Sequence, residues 1–358
     1  MKLNIVNLPA TDHPLRKSPG FAKKHLSDYA LDILGLCEYG CRYCSSNTGN
    51  FLRIRSGPFA DETEKQLGKR LYPSTDPTLT FHWPNVLHNL RSDLEKKPKS
   101  WGAGKTVVFS MLTDGFSPGM VASGVTRAAL DLVLATTSLR IRVLTKNACV
   151  GLSKEWVAYF AEHADRFVVG LSIGTMDDEW SKRVEINTSP PSQRLKALAR
   201  LQDAGVPTYG MLCPIFPDVL NLEFDDHVKA MGYPRLARLV EAVRPDRCET
   251  VWAEPFNDRA NWKHVRDGYA KGTGGWERLS AMYGSKDRRV WSHYATYLLL
   301  ELRRLSTAQG WSDKLVYLLY EGDITDDDAS KIGSLDGILL QNKPVDGRSP
   351  HPIFATMT

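Results

Sequence analysis

The sequence predicts an α/β fold: a partial (β/α)6 TIM-type barrel with a C-terminal helical and strand extension. Three observations carry that expectation. Short β-type runs alternate with longer helical patterns, which is the rhythm of parallel βα units. Thiol and polar side chains fall at or just after the ends of those runs, where a barrel keeps its chemistry. Finally, 358 residues, 42% apolar and 24% charged, are enough for one large domain or two small ones and exclude disorder and fibre. No internal repeat is visible.

The elements follow in order. A basic arm, residues 1–28, precedes the first strand at 29–36, and a polar loop at 45–58 leads through a stretch rich in Pro and charge to a helix at 84–97. The clearest units are strand 106–112, helix 119–135, strand 139–145, helix 153–163 and strand 167–173. Helix 191–204 stops at Gly205, a common C-terminal residue, and strand 206–213 runs into Pro214. Helix 233–243 and strand 249–254 complete six βα-type strands, so the barrel is expected over 29–255. The extension, 256–358, begins with a Gly/Trp-rich loop at 267–276, continues in a long amphipathic helix at 288–309 and a strand at 315–320, and carries an acidic run at 323–328. That helix is expected to bury Val290, Trp291, Tyr294, Leu298 and Leu302.

Charge narrows little on its own: 46 Lys and Arg against 41 Asp and Glu leave +5. Most of that surplus lies early, because the first sixty residues hold eight cations (Lys2, Arg16, Lys17, Lys23, Lys24, Arg42, Arg53, Arg55) and four acids (Asp12, Asp28, Asp32, Glu38). The start, MKLNIVNLPATDHP, has neither the basic opening and apolar core of a signal peptide nor the character of a transit peptide, so a cytoplasmic enzyme is expected. The longest apolar stretch, 294–300, is too short to span a bilayer, so no membrane contact is expected.

Three of the six cysteines, Cys37, Cys41 and Cys44, lie within eight residues just past the first strand. So few cysteines in so long a chain do not make a disulfide scaffold, and crowding of this kind suggests a metal in a reducing compartment. A structural zinc site closes with a fourth Cys or His, for which Cys149, Cys213, Cys248 or a histidine is available. Three thiolates alone instead suit a 4Fe–4S cluster with one iron left open.

The spacing C-x3-C-x2-C with Tyr43 before the third cysteine resembles the signature of the radical S-adenosylmethionine superfamily. The resemblance implies that Cys37, Cys41 and Cys44 hold the cluster and that its open iron binds the amino and carboxylate groups of S-adenosylmethionine. One electron then cleaves the sulfonium to methionine and a 5′-deoxyadenosyl radical, which abstracts hydrogen from a substrate inside a dry cavity. Later segments resemble the branch containing spore photoproduct lyase and the DNA-repair-photolyase-like proteins. They are Ser110-Met-Leu-Thr-Asp114 with Pro118, Thr145-Lys146, Ser172, Arg183-Val-Glu185, Arg194 with Ala204-Gly205, and Pro214-Ile-Phe-Pro217.

By that resemblance Tyr43 lies near the adenine. Ser110, Thr113 and Asp114 stand where related enzymes hold the methionyl amino group, Lys146 pairs with the cofactor carboxylate, Ser172 reaches the ribose, and Met211 begins the loop lining the adenine. The residues admit plainer readings beside these. Lys146 is then a solvated loop lysine, Ser172 a turn cap, and Glu185 with Arg194 an exposed ion pair. One slot departs from the pattern: where that branch carries a hydrogen-returning cysteine, this chain has Met111, which has no S–H. A lyase of that type would need another donor, such as Cys213 at a strand end or a tyrosine.

Glu254 ends the last barrel strand and Asn257 follows in a run of aromatics interleaved with polar groups, a composition suited to a planar substrate. Trp252 and Trp262 in the same run also suit core anchoring. Cys213, Glu254 and Asn257 are therefore the candidate catalytic residues. The expected substrate is a nucleic acid or nucleotide, with a peptide or small metabolite as the second enzyme reading and a zinc-stabilised binding module as the non-enzymatic one. The basic arm suits either a nucleic-acid backbone or an acidic electron donor of flavodoxin or ferredoxin type.

Overall fold

The structure, a computed structural model, describes residues 3–8, 13–44, 46, 50–217, 234–258, 261–284 and 288–340, with the backbone alone at 50–56. Lys2, Asp12 and Tyr233, the side chains of Arg53 and Arg55, and the start of the expected loop at Ser45 lie outside what is described. The chain forms two compact units. The first comprises 1–171, 178–207 and 259–261, and the second 172–177, 208–258 and 262–358.

In the first unit the principal sheet runs β2 (Leu15–Lys17), β3 (Tyr29–Leu31), β6 (Thr106–Phe109), β7 (Arg140–Thr145) and β8 (Phe167–Ser172, whose last residue belongs to the second unit). The β2–β3 pair is antiparallel and the other pairs are parallel. β8 is buried at every position, as a central parallel strand between helical layers requires. In β7, buried Ile141, Val143 and Thr145 alternate with half-buried neighbours. A smaller sheet orders β1 (Asn4–Asn7), β5 (Leu79–His82) and β4 (Leu34–Leu36) around Val6, Leu8, Leu36, Leu79 and Phe81.

The expected strand at 29–36 is therefore two strands in different sheets, and β1, β2 and β5 are additional. The break falls at Asp32, whose buried carboxylate pairs with Arg16 at 2.6 Å and cannot sit in a regular apolar run. The loop expected at 45–58 is helical from Asn50, in α2 (Asn50–Leu67). The helix expected at 119–135 is divided into α4 (Pro118–Ala122) and α5 (Val125–Thr136) by Gly124, whose φ of 76° stops the first segment. α1 (Pro19–Ala22), α3 (Val86–Glu95), α6 (Cys149–Leu152), α7 (Lys154–Glu162), α8 (Asp178–Val184) and α9 (Pro191–Asp203) complete the unit. Ser153 caps α7 by accepting from Trp156 N.

The second unit holds β9 (Thr208–Ile215), β10 (Cys248–Pro255), β11 (Leu315–Leu319) and β12 (Ile338–Leu340), parallel and in that order. Its helices are α10 (Pro234–Val243), α11 (Trp262–Arg266), α12 (Gly274–Gly284), α13 (Arg289–Gln309) and α14 (Asp326–Ile332), so the loop expected at 267–276 is already helical from Gly274, and β12 is a strand the sequence reading lacked. α13 buries Trp291, Tyr294, Leu298 and Leu302 as its spacing predicts, with Val290 only half-buried. Tyr317 on β11 ties the helix down by donating to Ala295 O at 2.7 Å. Each unit is of the expected α/β type, with mostly parallel strands and helices between them. No helix among the described residues is long and apolar enough to cross a membrane.

Candidate functional site

Cys37 follows β4 directly, and the loop to Cys44 is braced on several sides. Glu38 turns away to accept two bonds from Gly119 N at the start of α4, at 3.0 and 3.1 Å. Gly40 takes a φ of 59°, and a Cβ there would stand 2.7 Å from Pro77 O, so only glycine fits between Tyr39 and Cys41. The end of α8 and the loop after it hold the other side: Arg42 N donates to Val184 O at 2.8 Å, and Asn187 joins Tyr39 O through its N–H at 3.1 Å and Glu38 O through Nδ2 at 2.8 Å.

None of the three cysteines is in a disulfide; Cys41 is buried and Cys37 and Cys44 are half-buried. Burial pushes the Cys37 thiol up to about 12, with charge on Cys44 and Asp114 adding to the effect, while the N–H groups of Tyr39 and Asp114 donate to its sulfur and oppose it. Burial likewise holds Cys41 well above its ordinary value; the Lys146 cation opposes it, and Glu185, Cys37 and Cys44 reinforce it. The three sulfurs thus feel one another's charge. Among the described residues, no three His, Cys, Asp or Glu side chains converge as a ready-made metal cage. The donor chemistry nevertheless suits an iron–sulfur cluster: soft thiols from a single loop, buried or half-buried, with N–H groups aimed at sulfur and a cation alongside.

Beneath the loop lies a buried charged network. Glu185, at the end of α8, accepts from the Tyr43 hydroxyl, from Arg194 of α9 and from Ser181 Oγ at 2.9 Å. The side chains of Arg194 and Glu185 are 1% and 3% exposed, so the reading of an exposed surface pair is corrected. Burial alone would raise the Glu185 carboxyl, but the charges of Arg194 and Lys146 outweigh it and hold the group below its usual range. Lys146 Nζ lies 5.5 Å from the centre of the Tyr43 ring, which places this lysine at the cysteine loop rather than out in solvent. The Tyr43 hydroxyl is committed to Glu185.

Asp114 is fully occupied. Oδ1 accepts from Phe116 N at 2.9 Å and Thr145 Oγ1 at 2.9 Å, and Oδ2 from Thr145 Oγ1 at 3.0 Å and Lys146 N at 2.8 Å. It binds the loop after β6 to the end of β7, and so sets the position of Lys146. Burial raises its pKa in spite of those bonds. Thr113 donates to Leu34 O at 3.3 Å. Ser110 differs from both: it has a φ of 70°, an uncommon conformation for a non-glycine residue. Its hydroxyl is buried with no hydrogen-bond partner. An orphaned donor at a strand end is what a polar cofactor group would satisfy.

The remaining candidates lie in the second unit. Ser172 Oγ donates to Cys213 O at 3.1 Å, so in this structure it holds β9. Met211 is buried on β9, and its carbonyl accepts from Ile173 N at 3.0 Å. Glu254 accepts from the buried Tyr320 hydroxyl. Burial, then Tyr294, Glu254 and the half-buried Cys213, raise the pKa of Tyr317 well above its ordinary value, which brings those groups into one neighbourhood. Asn257 Nδ2 is buried with no partner. Trp252 is a core residue, as expected, whereas Trp262 is half-exposed.

Sequence reasoning missed Glu38, Asn187, Ser181 and Tyr320, which position the candidate groups through contacts distant in the chain. Only Glu38 carried a local signal, as an acid set between two cluster cysteines.

No protein-family model matches the chain. A curated protein described as the uncharacterized ORF301 of Acidianus two-tailed virus is 24% identical over 199 residues, covering 55% of this chain and 60% of that protein. The match therefore spans less than two thirds of that relative's length. Among solved structures, spore photoproduct lyase complexed with dinucleoside spore photoproduct is 16% identical, covers 85% of this chain and 79% of that one, and has a TM-score of 0.49. The anSMEcpe structure with bound AdoMet and Cp18Cys peptide is 11% identical, covers 79% and 61%, and has a TM-score of 0.39. With its three-cysteine loop between β4 and α2, the chain resembles the radical S-adenosylmethionine superfamily.

Proposed function

We propose that this protein is a radical S-adenosylmethionine enzyme acting on a nucleic acid or nucleotide. The observation that carries the reading is the set of three thiols, Cys37, Cys41 and Cys44, none in a disulfide, in a loop backed by Lys146, Tyr43 and the buried Glu185–Arg194 pair. When bound, the 4Fe–4S cluster and S-adenosylmethionine supply a one-electron cleavage that yields methionine and a 5′-deoxyadenosyl radical. The chain's own residues hold and orient. Lys146 offers a compact cation to a carboxylate, Ser110 offers its unsatisfied hydroxyl, and the ring of Tyr43, fixed through its hydroxyl, presents a flat face. Asp114 acts through Lys146. Glu254, Asn257 and Cys213 form the candidate substrate-side set, with Cys213 as the thiol able to donate hydrogen in place of Met111.

The substrate class rests on charge. Of the early cations, Lys17, Lys23 and Arg42 are exposed, whereas Arg16 is spent on Asp32. The same basic face suits an acidic flavodoxin- or ferredoxin-type donor. Free thiols throughout fit a reducing, cytoplasmic setting.

Anaerobic reconstitution tests the reading. Wild type is expected to take up roughly four irons per chain and to release 5′-deoxyadenosine on reduction with S-adenosylmethionine. Cys37→Ala, Cys41→Ala and Cys44→Ala are each expected to lose most of the iron. Stoichiometric zinc without iron would end the proposal. Deuterated candidate substrates, scored by label arriving in 5′-deoxyadenosine, then distinguish nucleotides from peptides and small metabolites.

A further inference from the structure

In the second unit, α11 and α12 meet through an unusual side-chain stack. The Arg266 guanidinium lies between two indoles, 5.2 Å from the Trp262 ring centre and 4.9 Å from that of Trp276. Lys263 Nζ stands 5.9 Å from the Trp262 ring, whose other neighbour is Tyr283, with ring centres 6.1 Å apart. Trp262, Arg266 and Trp276 are half-exposed, and Lys263, His264 and Lys271 are exposed. Between residues 262 and 278 the surface carries three cations (Lys263, Arg266, Lys271) and two exposed acids (Asp267, Glu277), the fourth cation, Arg278, being buried.

We propose that this face, built from Trp262, Lys263, His264, Arg266, Lys271 and Trp276, is a docking surface for single-stranded nucleic acid. It rests on the nucleic-acid reading above and gives it a location in the second unit. Core packing alone does not call for two half-exposed indoles with a charge between them. Single-strand binders combine cations that follow the phosphates with aromatic groups that meet the bases, and both are present here. Asp267 Oδ1 accepts from Arg266 Nε at 2.9 Å and from its Nη2 at 2.7 Å. The guanidinium is therefore already ordered before any phosphate arrives. Asp267 also offsets part of its charge, so the phosphate contacts fall mainly to Lys263 and Lys271. Trp276, at the start of α12, is the residue placed to stack on a base.

The test is fluorescence anisotropy of a labelled oligothymidylate against the whole protein over a range of salt concentrations. Wild type is expected to bind, with affinity falling as salt rises. Lys263→Gln/Lys271→Gln alters two exposed positions and leaves the core intact. It should flatten the slope of log affinity against log salt by about 1.4, at about 0.7 per lost contact to a single strand. Trp276→Ala should weaken binding about tenfold, and Trp276→Phe should restore most of it. If wild type binds but the double variant keeps the wild-type slope, or Trp276→Ala the wild-type affinity, this surface is overturned and the nucleic-acid reading stands. If wild type binds no oligonucleotide even at low salt, both are overturned.

Discussion

At the scale of single residues, Glu185 is the most consequential side chain outside the cysteines. It takes the Tyr43 hydroxyl, Ser181 and Arg194 together, and Glu185, Ser181 and Arg194 are buried. Glu185→Gln would leave the Arg194 cation in the interior without its counter-charge, at a cost of about 3–5 kcal/mol. Tyr43→Phe removes one hydrogen bond to a charged group and should cost about 1.5–3 kcal/mol. Urea titration of the apo-protein measures both. The pH profile carries a sign. Glu185 is held below its ordinary value, so the stability it contributes is complete above about pH 4.3 and is lost as pH falls through its folded value. The stability difference between wild type and Glu185→Gln should therefore shrink on acidification from pH 5. Asp114, raised by burial, works in the opposite sense over the same range, so only the difference between the two proteins isolates Glu185. A difference that stays constant down to pH 3 would contradict this assignment.

Among elements, two glycines show which contacts are rigid. A Cβ on Gly151 in α6 would stand 2.1 Å from the Ala197 carbonyl of α9, a backbone atom that cannot turn aside. Gly151→Ala should force the two helices apart and cost about 1–3 kcal/mol, seen as a lowered urea midpoint. At Gly119 a Cβ would meet Glu38 Oε1 at 2.1 Å, the end of a side chain that can swing away. Doing so breaks the bonds from Gly119 N to Glu38, which sits beside Cys37. Gly119→Ala is thus expected to change stability less than Gly151→Ala while lowering iron retention after reconstitution. Equal effects of both variants on stability and iron would mean that Glu38 does not position the loop. The division of 29–36 into β3 and β4 belongs to this scale too: β4 joins the small sheet, so the cysteine loop starts from β4 and not from the principal sheet.

For the whole molecule, the two units predict where loss of the cluster is felt. Every element that braces the cysteine loop, from the loop after β6 to the segment after α8, lies in the first unit. A metal that binds only the folded loop stabilises the contacts around it. Hydrogen exchange followed by mass spectrometry, comparing apo and reconstituted protein, should show gained protection at 37–44, 113–119 and 184–189, with Leu315–Leu319 unchanged. Uniform protection across both units would refute so local a coupling.

Much of this was legible in the chain. The parallel strands β6 to β11 and the helices between them follow from hydrophobic periodicity, because an element buried on one or both faces must repeat at its own period. The cysteine loop was legible because ligands from one short segment need no tertiary information. β1, β5 and β12 were not, being three or four residues long and stabilised by their sheet partners rather than by a pattern of their own. The helix from Asn50 was missed because its polar composition and internal Pro58 resemble a loop.

The sequence by itself determined the fold class and the three thiols in one loop. Only the tertiary structure decided that Glu185 and Arg194 are a buried pair under Tyr43, that Asp114 is spent on bracing Lys146, and that Ser110 keeps an unsatisfied hydroxyl. The physical reason is that a periodic pattern or a short ligand spacing is local, whereas burial and hydrogen-bond partnership depend on segments tens of residues away. Tyr43 and Glu185, for instance, are 142 positions apart.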